Sequence, residues 1–253
     1  MVVLTATDYD FQTPDTLAAG WTTFRLVNNG GQPHMAQLVR LDPGMTVEDF
    51  LAAYGEAFQT QGRRPEWARR LGGPTVTVPQ QTNNATLYLE PGDYVWICLY
   101  NIPDGIPHVV SHGMAEPFVV MQTEPTPSSE AAPKADVVMQ LMDYAFGLDT
   151  PLTAGRHMIR VQNAGSEPHE VSVLKLADGK TVEDVQAWMQ NPGQAPLEDI
   201  VSVAGGVTSF VPGAEIYFEV DLTPGEYVLL CVVTAPDGRS HMEHGMIQQI
   251  RVD

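Results

Sequence analysis

Two sets of four residues have the types and order to hold a metal ion: His34, Cys98, His108 and Met114, then His169, Cys231, His241 and Met246. A thiolate and two imidazoles in a trigonal arrangement, with a weak axial thioether, make up a donor set that suits copper in one-electron chemistry. Zinc asks for four strong donors and does not favour a thioether. The inventory therefore points to copper. His112 and His244 stand immediately before Gly-Met in both sets and compete with His108 and His241. Only one residue separates each of them from the methionine, which would crowd two ligands on the chain, so His108 and His241 are preferred. The other pair reads as surface histidines or as hydrogen-bond donors behind the ligands. His157 has no counterpart in the first set and reads as structural.

A lone buried cysteine on a strand is ordinarily a small hydrophobe. Here each stands in register with two histidines and a methionine, and it does so twice. A metal-free module and a copper-storage protein are the alternatives, although Met35, Met45, Met139, Met142 and Met189 form no tight Met-x-x-Met series.

These residues recur because the chain is duplicated. Asp8-Tyr9-x-Phe11 falls on Asp143-Tyr144-x-Phe146, Asn28 on Asn163, Pro33-His34 on Pro168-His169, and Thr46-Val47-Glu48-Asp49 on Thr181-Val182-Glu183-Asp184. After a short slip, Pro91-Gly92-x-Tyr94 falls on Pro224-Gly225-x-Tyr227, Cys98 on Cys231, Pro103-Asp104-Gly105 on Pro236-Asp237-Gly238, and His108 on His241. Residues 123–135, TEPTPSSEAAPKA, have a linker composition. The expected domains are therefore 1–122 and 136–253. Within each copy, runs such as WTTFRLVNN, YVWICLY, HMIRVQN and HEVSVLKL are short, rich in β-branched and aromatic residues, and bounded by Gly, Pro or Asn. They read as strands of an all-β Greek-key sandwich. Residues 46–71 begin with Thr three residues before Asp and continue at roughly helical spacing, predicting one or two inserted helices. The second copy shortens this insertion to TVEDVQAWMQ. The PGDY and PGEY turns feed strands that deliver Cys98 and Cys231 to one end of each sandwich.

Both halves resemble cupredoxins, the plastocyanin and azurin type of domain, and the tandem arrangement is similar to bacterial plastocyanin-like proteins. NNGGQPHMAQLV and NAGSEPHEVSVL resemble the stretch in which an Asn precedes the first copper histidine; PGDYVWIC and PGEYVLLC resemble the strand that ends in the copper cysteine. The resemblance implies two tandem cupredoxin-like domains with type 1-like copper held by His34, Cys98, His108 and Met114, and by His169, Cys231, His241 and Met246, in one domain or both. Two features depart from the small members of the family. Nine residues separate each Cys from its second His, a gap with a parallel in copper nitrite reductases. The His-to-Met gap is four residues in the second copy but five in the first, which makes the second site the better copper candidate. A carrier would pass its electron through an exposed histidine edge within an apolar patch, expected from Ile106, Pro107, Val109 and Val110 in the first copy. Arg239, Ser240, Met242 and Glu243 make that region more polar in the second. Multicopper oxidases, which resemble the same fold, use His-x-His pairs and a His-Cys-His segment that this chain lacks. With seven histidines, it is expected to be no enzyme.

A formal net charge of -18 argues against nucleic acid or an anionic membrane surface as partner. A redox partner protein and the copper ion itself are the expected partners. No stretch has the length to span a bilayer, and no signal peptide is visible in this chain. The family resemblance implies the periplasm or cell exterior. Two cysteines are not a disulfide framework, and their equivalent positions in separate domains disfavour pairing.

Overall fold

The computed structural model describes residues 1–101, 104–122, 131–192 and 195–253. It forms two compact units, Met1–Ala132 and Pro133–Asp253. Residues 123–130 of the expected linker lie outside the described residues, as does Pro103 of the first Pro-Asp-Gly. Each unit is a β-sandwich, as expected for an all-β chain of two tandem domains.

In chain order the first unit contains β1 (Val2–Thr7), β2 (Asp10–Gln12), β3 (Thr16–Ala18), β4 (Gly20–Asn28) and β5 (Gln37–Leu41). There follow helix α1 (Val47–Thr60), β6 (Ala68–Gly72), β7 (Thr82–Leu89), β8 (Gly92–Ile97), a single helical turn α2 (His108–Ser111) and β9 (Ala115–Met121). One sheet runs β2-β1-β4-β7, with β1 parallel to β4. The other runs β6-β5-β8-β9-β3, with only β3 and β9 parallel.

Burial explains why the strand leading to Cys98 reads as an unbroken apolar run. Trp96 faces the opposite sheet, its ring 4.8 Å from that of Phe24. Val95 and Ile97 point the other way, into a cluster with Phe50 and Tyr54 of α1 and Val109. A strand covered on both faces has no solvent side to make polar. The insertion therefore covers the outer face of the sheet that carries the cysteine.

That helix starts where the sequence predicts. The Thr46 hydroxyl accepts the Asp49 amide (3.1 Å) and the Asp49 carboxylate accepts the Thr46 amide (3.1 Å), a reciprocal cap. It ends at Gln61, in the left-handed region at φ 51°. The rest of the insertion is not a second helix. Pro65 breaks the pattern and Ala68–Gly72 pairs with the edge of β5, because an open sheet edge satisfies its backbone groups.

The second unit repeats the plan with β10 (Val137–Met142), β11 (Ala145–Leu148), β12 (Gly155–Asn163), β13 (His169–Leu176), helix α3 (Val182–Gln190), β14 (Val201–Phe210), β15 (Glu215–Leu222), β16 (Gly225–Leu230) and β17 (Ile247–Val252). Its sheets run β11-β10-β12-β15 and β14-β13-β16-β17. His157 is structural, as its lack of a counterpart suggested: its Nδ1 meets Asp136 (2.7 Å) and its Nε2 the Thr153 carbonyl (2.9 Å). Among the described residues no helix is long and apolar enough to cross a membrane.

One glycine position per unit is required by a close backbone approach next to the first histidine's strand. At Gly73 (φ +142°) a Cβ would lie 2.1 Å from the Ala36 carbonyl oxygen, and at Gly206 (φ +131°) 2.1 Å from that of Val171. Because the opposing atoms are backbone, neither can rotate away. Gly206→Ala is expected to lower unfolding stability by at least about 2 kcal/mol, counting strain alone. Urea midpoints of the variant and parent would check this, and an unchanged midpoint would contradict the close approach.

Candidate metal centres

The four residues of each set gather at one end of their unit although the loops between them are long. Cys98 follows β8 by one residue; its amide donates to the Met114 carbonyl (3.3 Å), and the Met114 amide donates to the His108 carbonyl (3.2 Å). Cys231, Met246 and His241 repeat both bonds at 3.2 and 2.8 Å. The backbone thus closes each loop on itself, and the additional residue of the first copy is taken up around the α2 turn. Both sites are assembled alike, so spacing does not favour the second. Cys98, Met114, Cys231 and Met246 are fully buried, and both cysteines are free.

Within each site three donor atoms converge. In the first, Cys98 Sγ lies 3.7 Å from His34 Nδ1 and 3.5 Å from His108 Nδ1, and the two Nδ1 atoms are 3.3 Å apart. In the second, Cys231 Sγ is 3.4 Å from His241 Nδ1, and His169 Nδ1 and His241 Nδ1 are 2.9 Å apart. All three atoms of each group lie within 4.8 Å of one another. Two nitrogens and a sulfur bound to one ion at ~2.0–2.1 and ~2.3 Å would form a triangle with edges of about 3.4–3.8 Å. The first site matches that triangle closely; in the second the two nitrogens lie closer together than the triangle requires. His112 and His244 stand outside both groups.

Carboxylates hold the first histidine of each site in position. His34 Nε2 meets Asp8 Oδ1 at 3.0 Å, and His169 Nε2 meets Asp143 Oδ1 at 3.0 Å. An Nε2 proton given to a carboxylate leaves the Nδ1 lone pair directed into the site, toward the Cys98 sulfur in the first unit and toward His241 Nδ1 in the second. Each carboxylate also receives backbone amides from the turn before the histidine, Gly31 and Gln32 in one unit and Ser166 and Glu167 in the other. The histidine hydrogen bond first of all holds Asp8 below the usual carboxylate range. Asp143 is drawn down to about 2, chiefly by the Ser166 hydroxyl. The turn itself is tied by the buried asparagine two residues before its glycine. Asn28 Nδ2 donates to the Gln32 and Thr77 carbonyls (both 2.7 Å) while its Oδ1 accepts the Gly30 amide (2.8 Å). Asn163 does the same with Glu167, Phe210 and Gly165.

Asp8 and Asp143 belong to the sites although residue type and spacing do not single them out. Their signal was present, since Asp-Tyr recurs in the duplication at the same distance before each histidine, but nothing local marks an aspartate as a partner of an imidazole. The tyrosines matter too. Tyr9 stacks on His112 (ring centroids 3.5 Å apart, planes 7° apart) and turns its edge to His108 at 5.0 Å. Tyr144 stacks on His244 (4.4 Å) and approaches His241 at 5.1 Å. His112 and His244 are thus the outer layer of a cover.

That cover overturns the exposed-edge expectation. His108 is 5 % exposed and His241 0 %. In the expected apolar patch only Ile106 is clearly exposed, because Pro107 and Val109 are buried, Val109 within the cluster under α1, and Val110 packs partly against it. Burial has a chemical consequence. It pushes the Cys98 thiol up to about 12 and raises the Cys231 thiol as well. Burial, then the neighbouring His34, pulls the His108 imidazole down to about 4, and burial lowers His241 likewise. In the absence of a cation the thiols are protonated and these two imidazoles neutral at ordinary pH.

No family model and no curated protein matches the chain. Among solved structures it is similar to auracyanin A, a blue copper protein of Chloroflexus aurantiacus, at 21 % identity over 47 % of this chain and 99 % of that one, with a TM-score of 0.32. It is similar to the reduced auracyanin of Roseiflexus castenholzii at 18 % identity, over 46 % and 94 %, with a TM-score of 0.31. It is also similar to the blue copper oxidase of Nitrosomonas europaea at 16 % identity, over 94 % and 75 %, with a TM-score of 0.25.

A neutral imidazole held below its ordinary value binds its proton later in the folded chain than in the unfolded one. Its contribution to stability is complete above about pH 6.5 and is lost as pH falls toward about 4. Metal-free protein is expected to weaken across that interval, and His108→Gln to reduce the weakening. Urea midpoints measured at several pH values would check both, and flat midpoints would contradict a buried neutral His108.

Proposed function

We propose that this protein binds copper in both units and carries one electron per site. His34, Cys98, His108 and Met114 are the ligands in the first, and His169, Cys231, His241 and Met246 those in the second. One observation carries the reading. In the second unit His169 Nε2 faces Asp143, and His241 Nε2 faces Glu167 at 3.1 Å. Both rings are thereby set with Nδ1 lone pairs directed at each other across 2.9 Å, beside a cysteine sulfur. Two lone pairs so placed repel unless a cation sits between them, and burial disfavours a proton as that cation. A metal ion satisfies all three donors at once.

The donor set selects the metal. One soft thiolate, two imidazoles and a nearby methionine favour copper over zinc, and burial away from water favours an ion that keeps its ligands in both oxidation states. Bound there, copper supplies a one-electron couple. The chain's own carboxylates hold His34, His169 and His241 in one tautomer, its fold excludes water, and the Tyr9–His112 and Tyr144–His244 stacks cover the sites. With both site histidines buried, the proposed exit for the electron is through those stacks.

An oxidase needs a second, histidine-rich cluster. His112 meets Ser111 and Tyr9, His157 meets Asp136 and Thr153, and His244 meets Asp237 and Tyr144. Each is engaged by partners within its own unit, and among the described residues no further metal-binding group is gathered. The reading proposed is a carrier, with a redox protein as partner. The periplasm or cell exterior is the setting that accompanies the family resemblance.

Adding Cu(II) to the metal-free protein is expected to give an intense blue absorption with two ions bound per chain. Cys98→Ser and Cys231→Ser should each remove one blue site, and the double variant all colour. A protein that stays colourless would overturn the carrier reading, and tight Cu(I) binding without colour would point to storage. Because each buried thiol must lose a proton to bind, uptake should release about one proton per site near neutral pH, measurable in weakly buffered solution.

A further inference from the structure

The two sites share their inner donors and differ immediately behind them. In the second unit Glu167 Oε2 meets His241 Nε2 (3.1 Å), and its Oε1 accepts the Tyr144 hydroxyl (3.0 Å). The Glu167 side chain is only 21 % exposed, so water screens its charge incompletely. The duplication places Gln32 at this position in the first unit. Gln32 is neutral and donates its amide to the Tyr9 hydroxyl at 2.6 Å. No carboxylate pairs with His108 among the described residues. A second substitution has the same sign. Glu170, nearly buried, accepts the Val232 amide next to Cys231 (3.1 Å), where the first unit has Met35.

We propose that Glu167, reinforced by Glu170, sets the second site at a lower reduction potential than the first, so that the duplicated sites are two unequal one-electron centres. This rests on the copper reading above. A negative group stabilises the more positive oxidation state of a nearby ion, and the effect is larger where water is excluded. A carboxylate on Nε2–H also makes the imidazole a stronger donor at Nδ1, which again favours Cu(II) over Cu(I). An electron supplied to the fully oxidised protein by an added chemical reductant therefore settles on the first site. That centre passes from Cu(II) to Cu(I) while the second stays Cu(II), with no proton or ligand exchanged.

Cys231→Ser isolates the first site and Cys98→Ser the second in the full chain. Redox titrations following the blue band should give the second site the lower midpoint. The expected difference is at least about tenfold in the ratio of Cu(II) to Cu(I) affinity, about 59 mV for a one-electron couple. In the Cys98→Ser background Glu167→Gln should raise the midpoint, and in the Cys231→Ser background Gln32→Glu should lower it. Metal-free protein offers an independent readout, because the His241 Nε2 proton should shift upfield in NMR spectra of Glu167→Gln. Blue sites with equal midpoints, or midpoints indifferent to Glu167→Gln, would overturn this inference and leave the copper reading standing. Failure of either single-site protein to turn blue would overturn the copper reading for that site and this inference with it.

Discussion

Both sites depend on one contact, the hydrogen bond between an aspartate near the start of each unit and Nε2 of the first histidine. Asp8 and Asp143 join three things that would otherwise move separately: the β1–β2 or β10–β11 turn, the asparagine-tied loop, and the imidazole. The bond sets the tautomer, and the tautomer decides whether the ring offers a lone pair or a proton to the sulfur. Gly30 and Gly165 allow the loop to come this close, since a Cβ on either would lie 2.3 or 2.4 Å from the aspartate oxygen. The requirement for glycine here is one of space.

The sandwich supplies what that contact cannot, a dry and rigid place for the cysteine. β8 and β16 are buried on both faces over their last four residues, so Cys98 and Cys231 emerge from the dry end of a strand. An uncompensated thiolate there would be costly, as the raised thiols show. The same burial makes a cation valuable, because every attraction to it is strengthened where water is absent. The stacked tyrosine and histidine then keep water from the second imidazole. A site open at its histidine edge would be more accessible to a partner and less protected; this protein has the closed form.

Duplication preserved the parts that assemble a site and let the parts that adjust it diverge. Asn28 and Asn163 tie the same loop, Asp8 and Asp143 meet the same histidine nitrogen, and Tyr9 and Tyr144 stack on the same outer histidine. Gln32 and Glu167 are not equivalent, and neither are Met35 and Glu170. The divergent positions lie beside the clustered histidines and cysteines, where a change of charge alters the electrostatics of the cluster without disturbing the fold.

Much of this was legible in order and periodicity alone. The duplication, the all-β class, the helix that begins at Thr46, and the two sets of His, Cys, His and Met follow from residue types and their succession, because strand burial and helix capping are local rules. The sequence also carried Asp8 and Tyr9 in the repeat, but without a role. Tertiary structure alone decided the rest. It showed that backbone bonds tie each cysteine to its methionine and each methionine to the second histidine, that Ala68–Gly72 becomes a strand because an edge is available to pair with it, and that His108 lies beneath Tyr9 instead of at the surface. It also distinguished His108 from His112, four positions apart on one short turn, by turning one ring toward the sulfur and the other onto an aromatic face. Each of these outcomes is a matter of which atoms meet across the fold, and distance along the chain does not encode it.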